Sequence, residues 1–264
     1  MPFEELKARQ SMVWGAGAYE PVVEITTEIH EALVAALDGR PGQRWLDIAT
    51  GTGAVALRAA RTGAELTGID LAPALIETAR KNAAAQGLNI RFETGDAEAL
   101  PYQDASFDVV SSAIGTQFAP DHRAVARELG RVCRPGGRLR LACWTPTSGV
   151  AAMFKLLAPF MPPPAPGVGN VFDWGRPDYV QELLGEAFEL EIEERDTVQA
   201  ADSGEQVWQL FSTVYGPTKV LAESLDVERR EQLHRNFVEL YEGYRVGDQI
   251  QQSRTYLLIT GLRR

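Results

Sequence analysis

The stretch Arg44-Trp-Leu-Asp-Ile-Ala-Thr-Gly-Thr-Gly-Ala-Val-Ala-Leu-Arg58 constrains this chain more than any other, because it reads as a buried strand, a glycine turn and a helix start in immediate succession. Trp45, Leu46 and Ile48 form a short apolar run with a β-leaning start. Gly51 and Gly53 permit the positive φ and the close ligand approach that a Cβ would block. Val55, Ala56, Ala59 and Ala60 then recur at helical spacing, which puts a helix N-terminus and its free N–H groups over the strand end. In α/β sheets that is where nucleotide-like ligands bind.

The turn alone is a near match to the dinucleotide-binding pattern, so its flanks decide. Asp47 ends the strand four residues before Gly51, where a carboxylate would accept from a cationic amino group and repel a pyrophosphate. A second strand, 65–70, ends in Asp70, which returns beside the turn and is placed to bind two ribose hydroxyls. A third acid follows the strand 89–94 in Gly95-Asp96-Ala97, where it can accept from an adenine amino group. Taken singly, Asp47 and Asp70 read equally as caps of the turn and of the following helix, and Asp96 reads better as a turn residue. Their convergence at three adjacent strand ends, with no Lys or Arg in the turn, suits a ligand with an ammonium, a ribose and an adenine but no phosphate. S-adenosylmethionine is such a ligand.

Five segments in register, 46–53, 67–73, 95–101, 106–110 and 131–138, carry a wider likeness. Over residues 40–145 the chain resembles the class I S-adenosylmethionine-dependent methyltransferases, specifically the small-molecule branch that includes ubiquinone/menaquinone C-methyltransferase-like enzymes. The resemblance implies a Rossmann-like α/β fold, a doubly wound and mostly parallel seven-stranded sheet with an antiparallel last strand. It also implies roles for individual residues. Asp47 and Gly51 would hold the methionine portion, Asp70 the ribose, Asp96 and the Ala97 amide the adenine, Ser112 would line the pocket after the fourth strand, and Ala49, Gly53 and Leu71 would join them as cofactor-binding residues. Ala49 departs from the family, which usually has glycine there. An NAD(P)-linked oxidoreductase shares the turn and the acid of the second strand, but leaves Asp47, Gly95-Asp96-Ala97 and Arg134-Pro-Gly-Gly137 unexplained. A cofactor-binding partner protein without activity is a third reading, against which the full set of acids speaks.

Around this core the chain alternates helix and strand, which predicts the parallel, doubly wound sheet independently. Helices are expected over 53–62, 73–86 and 122–133, the last capped by Asp121, and strands over 107–112 and 138–144. Residues 1–20 read as an ordered arm, too glycine-rich around Trp14 and Tyr19 for a core element; these aromatics either cover exposed core or, as the resemblance implies, form a lid over cofactor and substrate. A single amphipathic helix is expected over 21–37. The loop 113–120, with Gln117 and Phe118, faces the site of methyl transfer and supplies further pocket candidates. Past Thr145 come a helix at about 149–158, a proline run over 159–167 that serves as a spacer or as one pocket wall, and a helix from about 173 to 185. A sixth strand at 188–197, a helical insertion at about 203–246 and a final strand at 253–262 complete one methyltransferase domain, with acceptor-side elements over 146–264.

The formal charge of −10 argues against a nucleic-acid partner. No apolar run is long enough to span a bilayer and the start of the chain lacks a signal peptide's basic and apolar regions, so a cytoplasmic location and no membrane partner are expected. Cys133 and Cys143 read as core thiols, and three scattered histidines make a protein-bound metal unexpected. Methyl transfer needs alignment above all, and a general base only for some acceptors. His122, at the helix start after the pocket loop, is the first candidate for one, ahead of His234 and His30, which nothing in the sequence places in the pocket. A small, fairly hydrophobic acceptor fits the Pro- and aromatic-rich second half. The sequence does not choose among O-, N-, S- and C-methylation, nor assign an oligomeric state.

Overall fold

The computed structural model describes residues 3–37 and 39–264; Met1 and Pro2, which begin the expected arm, and Asp38 lie outside the described residues. The chain opens with three helices, α1 (Glu4–Gly15), α2 (Glu20–Glu24) and α3 (Thr27–Ala35). There follow β1 (Arg44–Ile48), α4 (Ala54–Ala59), β2 (Glu65–Asp70), α5 (Pro73–Ala85), β3 (Arg91–Thr94), β4 (Phe107–Ala113), α6 (His122–Val132) and β5 (Cys133–Trp144). The remainder comprises α7 (Gly149–Leu157), α8 (Pro177–Leu184), β6 (Phe188–Ala201), α9 (Gly204–Val214), α10 (Gly216–Ser224), α11 (Val227–Glu242), β7 (Arg245–Val246) and β8 (Gln249–Arg263).

The sheet order is β3-β2-β1-β4-β5-β8-β6, with β1 to β5 parallel and β8 antiparallel to both neighbours. The order reverses at β1, so the crevice over the C-terminal ends of β1 and β4 is the switch point where such sheets take ligands. Seven strands, the number expected, lie on this path, and the two-residue β7 pairs with β8 off it. The Gly247-Asp248 turn of that hairpin, with Gly247 at φ +61, is a two-residue signal the sequence reading passed over. It starts β8 four residues earlier than expected. Cys133 and Cys143 are free and buried, as expected.

Several boundaries move for identifiable reasons. The expected arm contains the full helix α1, whose inward face is polar: Lys7 is buried, Gln10 Nε2 donates to the Phe118 carbonyl at 3.0 Å and Ser11 Oγ to the Leu71 carbonyl at 3.0 Å. A helix that packs on a polar rim shows no apolar stripe. The single helix over 21–37 is two, broken at Ile25 and Thr26, where the Thr26 hydroxyl donates back to the Val22 and Val23 carbonyls. The chain over 134–137 belongs to β5 and carries a register shift opposite Phe107, instead of forming a separate turn. Pro159 and Phe160 close a 3₁₀ turn, and no residue of 159–167 lines the cavity described below, which leaves the proline run a spacer.

Candidate active site

A cavity of about 240 Å³ lies over the C-terminal ends of the parallel strands. Its floor is built from residues 48–52 after β1, Asp70 and Leu71 at the end of β2, Gly95, Asp96 and Ala97 after β3, and residues 113–116 after β4. Its roof comes from α1 to α3 and its far wall from α7, Phe211, Tyr215 and Arg254. Acids line one end and aromatic rings the other.

Asp70 stands where the sequence put it. Its Oδ2 accepts from the Gly51 amide at 2.8 Å and its Oδ1 from the Ala72 amide at 2.9 Å, so the carboxylate is fixed at both ends beside the glycine turn. Burial pushes its pKa up, and the backbone amides oppose that. Asp96 Oδ1 accepts from the Glu98 amide at 2.9 Å, while Oδ2 takes a 2.7 Å bond from Lys7 Nζ, which also pairs with Glu98. Burial alone would lower the Lys7 pKa, but the two carboxylates outweigh it and hold the ammonium above its usual range. Leu71 and Ala97 line the cavity as expected.

Asp47 does not line it. Its register partner on β4 is Ser111, and paired residues share a face, so the carboxylate turns under the glycine turn. There Oδ1 accepts from Ser111 Oγ at 2.8 Å and Oδ2 from Thr50 Oγ1 at 2.6 Å, while Ser111 Oγ itself accepts from Trp45 Nε1 at 2.8 Å. Burial pushes the pKa of Asp47 up to about 6. This buried chain fixes the turn from below, where a direct contact with a ligand's amino group was expected. Gly53 likewise serves packing: at φ +88, its missing Cβ would stand 3.1 Å from the Phe92 ring. Gly51 does face the cavity, and nothing lies within 4 Å of its missing Cβ.

Of the pocket candidates, Trp14, Tyr19 and Phe118 line the cavity, and Trp14 stacks edge-on against Phe118 at 4.8 Å and Tyr215 at 5.8 Å. Gln117 does not; it is buried with Oε1 accepting from the Trp144 amide at 2.9 Å. Ser112 is also buried off the cavity, its Oγ accepting from the Thr116 amide at 3.3 Å. His122 points away as well. Asp121 caps α6 through the Ala124 amide, and the imidazole of the next residue falls among Trp174 and Tyr179, with Nδ1 3.0 Å from the Tyr179 hydroxyl. Its pKa is lowered, chiefly by burial.

His234 is remote too, bonded to Glu205 and stacked on Trp208. The histidine in the roof is His30, which sequence reasoning left outside the pocket. Burial, with Arg58 nearby, lowers its pKa to about 3, so the imidazole is neutral. Arg254 was missed because it falls on the apolar face of β8, in step with Tyr256 and Leu258.

Two residues at the rim hold left-handed backbone: Ala49 at φ +52 and Ile114 at φ +63. A β-branched residue there is strained, and such strain gathers at ligand sites. The two loops touch, since a Cβ on Gly115 would stand 2.3 Å from that of Ala49. Ala49→Gly should therefore raise the melting temperature or leave it unchanged, because relief of about 1–2 kcal/mol of left-handed strain offsets the added freedom of the unfolded chain. A fall of several degrees in a thermal melt would contradict this.

Residues 46–137 match the family model described as a methyltransferase domain. An uncharacterised protein of Mycobacterium tuberculosis (strain ATCC 25618 / H37Rv) is 36% identical over 280 residues, covering 99% of this chain and 96% of its own. A demethylmenaquinone methyltransferase of Deinococcus radiodurans is 45% identical over 118 residues, 43% of this chain and 49% of that one. The chain belongs to the class I S-adenosylmethionine-dependent methyltransferases. The solved structure of YcgJ from Bacillus subtilis shares the fold, with a TM-score of 0.64 at 21% identity over 90% of this chain and 98% of that one. Geranyl diphosphate methyltransferase, solved with S-adenosylmethionine, gives 0.55 at 20% identity over 90% and 85%.

As a member of this family the chain takes S-adenosylmethionine as its cofactor. The family match runs from β1 into β5 and so takes in the acid-lined end of the cavity. α1 to α3, α7 and the α9–α11 insertion, which roof and wall the aromatic end, lie outside it. Among the described residues no helix is long and apolar enough to cross a membrane.

Proposed function

We propose that this methyltransferase methylates a small, apolar acceptor and works mainly by positioning. The observation that carries the reading is a single cavity joining the acid-lined crevice at β2 and β3 to a wall of aromatic rings. Asp70 is suited to accept from the ribose hydroxyls, Asp96 and the Ala97 amide to meet the adenine, and the open space at Gly51 to admit the methionine portion. Asp47 acts one layer back, through Thr50. When bound, the cofactor supplies a sulfonium methyl open to in-line displacement. The chain's own part is to align the acceptor and exclude water with Trp14, Tyr19, Phe118, Phe211 and Tyr215.

No side chain in the cavity is tuned as a strong base. His30 is held neutral with its pKa near 3, and burial drives the hydroxyls of Tyr19 and Tyr215 well above the usual phenol range. The likeness to the demethylmenaquinone methyltransferase covers 43% of this chain and 49% of that one, so the acceptor is read from this chain's own wall. Isothermal titration tests the cofactor assignment: S-adenosylmethionine and S-adenosylhomocysteine should bind at micromolar levels and NAD(P)H should not. Nicotinamide binding alone would overturn it. His122→Gln should leave turnover within about tenfold of wild type, since a positioned base is worth about a hundredfold or more. A larger loss with cofactor affinity intact would make His122 the base.

A further inference from the structure

Arg254 lines the cavity, and this reading leaves it without a use. It lies two residues before Tyr256, whose register partner is Trp144 at the end of β5, so antiparallel pairing carries it just past the C-terminal edge of the parallel strands. Arg254 is 3% exposed and lines the cavity. Its Nε donates to Gln252 Oε1 at 3.1 Å, and its guanidinium carbon lies 5.8 Å from the centre of the Phe211 ring. Its other polar neighbours are the phenols Tyr215 and Tyr241. All of these are neutral, and no ion pair joins Arg254 to a carboxylate among the described residues.

A guanidinium keeps its proton in a protein, so this is a fixed positive charge buried without a counter-ion. The acids of the cavity do not supply one. Asp70 is bound by two amides and Asp96 by Lys7. β1, β4 and β5 separate β2 from β8, a span of about 19 Å at the usual strand spacing. A second group in the same cavity lacks a partner: His30 is 6% exposed and its Nδ1 makes no hydrogen bond. The cavity therefore holds one unpaired cation and one unpaired ring nitrogen.

We propose that the methyl acceptor is an apolar, ring-sized molecule bearing one carboxylate, which Arg254 holds at the aromatic end of the cavity. This rests on the reading of that cavity as a methyltransferase site. With Nε engaged by Gln252 and the Tyr241 hydroxyl bonded to the guanidinium as well, the remaining terminal N–H groups match a single planar carboxylate. No lysine or second arginine joins it on that wall, as the larger charge of a phosphate would call for. Phe211 and Tyr215 flank the guanidinium and would cover the apolar body of the acceptor. The anion also completes Arg254, whose buried charge then has a partner when the site is filled.

The test is isothermal titration of the full chain, saturated with S-adenosylhomocysteine, against 3-phenylpropionate and separately its neutral amide. The acid should bind at least about tenfold more tightly than the amide, the scale of one charge-assisted pair. That preference should vanish in Arg254→Met and persist, weakened, in Arg254→Lys, with S-adenosylhomocysteine affinity within about threefold of wild type in both. Equal affinity for acid and amide, binding of neither, or an acid preference that survives Arg254→Met would overturn the proposal. Should Arg254→Met fail to fold, the wild-type comparison and the lysine variant still decide. Failure of wild-type protein to bind S-adenosylhomocysteine would instead strike the methyltransferase reading of the cavity, which separates the two.

Discussion

Asp70→Asn is expected to weaken S-adenosylhomocysteine binding about a hundredfold while the protein remains folded. The carboxylate already spans the Gly51 and Ala72 amides at 2.8 and 2.9 Å, which fixes its plane at the mouth of the glycine turn. A ribose diol placed there would donate to the same two oxygens, each such bond to a charged group contributing about 1.5–3 kcal/mol. Asparagine keeps one acceptor and points an amide N–H₂ at the other backbone donor. The turn then loosens and half of the diol contact is lost, for about 2–3 kcal/mol together, which is the hundredfold stated. Titration of the variant beside a thermal melt makes the measurement. A dissociation constant within threefold of wild type would mean that Asp70 braces the turn, as Asp47 does, and meets no ligand.

Asp47 and Asp70 show which part of the site was legible. Asp70 ends β2 and Asp47 is the last residue but one of β1, so both lie beside the glycine turn. What sequence spacing does not carry is which face a strand end presents. Cross-strand pairing with Ser111 turns Asp47 inward, whereas Asp70, with no strand residue beyond it, opens to the cavity. The same ambiguity explains Ser112, Gln117 and His122. Ser112 and His122 flank the loop over 113–120 and Gln117 lies in it, and none of the three lines the cavity.

The α/β core was readable because burial on both faces writes continuous apolar runs separated by glycine and acid punctuation. α1 was not, because it packs through Lys7, Gln10 and Ser11 against polar groups and so carries no helical stripe. His30 and Arg254 were hidden for the opposite reason. Each sits inside an apolar pattern, where a lone polar residue reads as tolerated and not as placed.

Gly216→Ala is expected to lower turnover about a hundredfold with S-adenosylhomocysteine affinity changed by less than about fivefold. Gly216 opens α10 at a point where the roof meets the far wall. A Cβ there would stand 2.1 Å from the Val13 carbonyl oxygen and 2.8 Å from the Tyr19 hydroxyl, which accepts from the Gly216 amide at 3.1 Å. The helix itself favours alanine by up to about 1 kcal/mol, so the cost lies wholly in the contact. To restore van der Waals distance α1 and Tyr19 must lift by about 1 Å, a displacement of reacting groups that can cost two orders of magnitude in rate. Asp70, Gly51 and Ala97 belong to the floor and do not move with the roof. Turnover on any acceptor the wild type methylates, set beside the titration, separates the two effects. Gly17 meets the same junction from the other side, its missing Cβ 2.2 Å from the Val214 carbonyl oxygen and 2.8 Å from the Gly216 amide nitrogen. Gly17→Ala should therefore reproduce the loss, and the double variant should lose little more than either single one, because both changes open the same seam. Additive losses would mean that two independent contacts, and not one roof, hold the cavity closed.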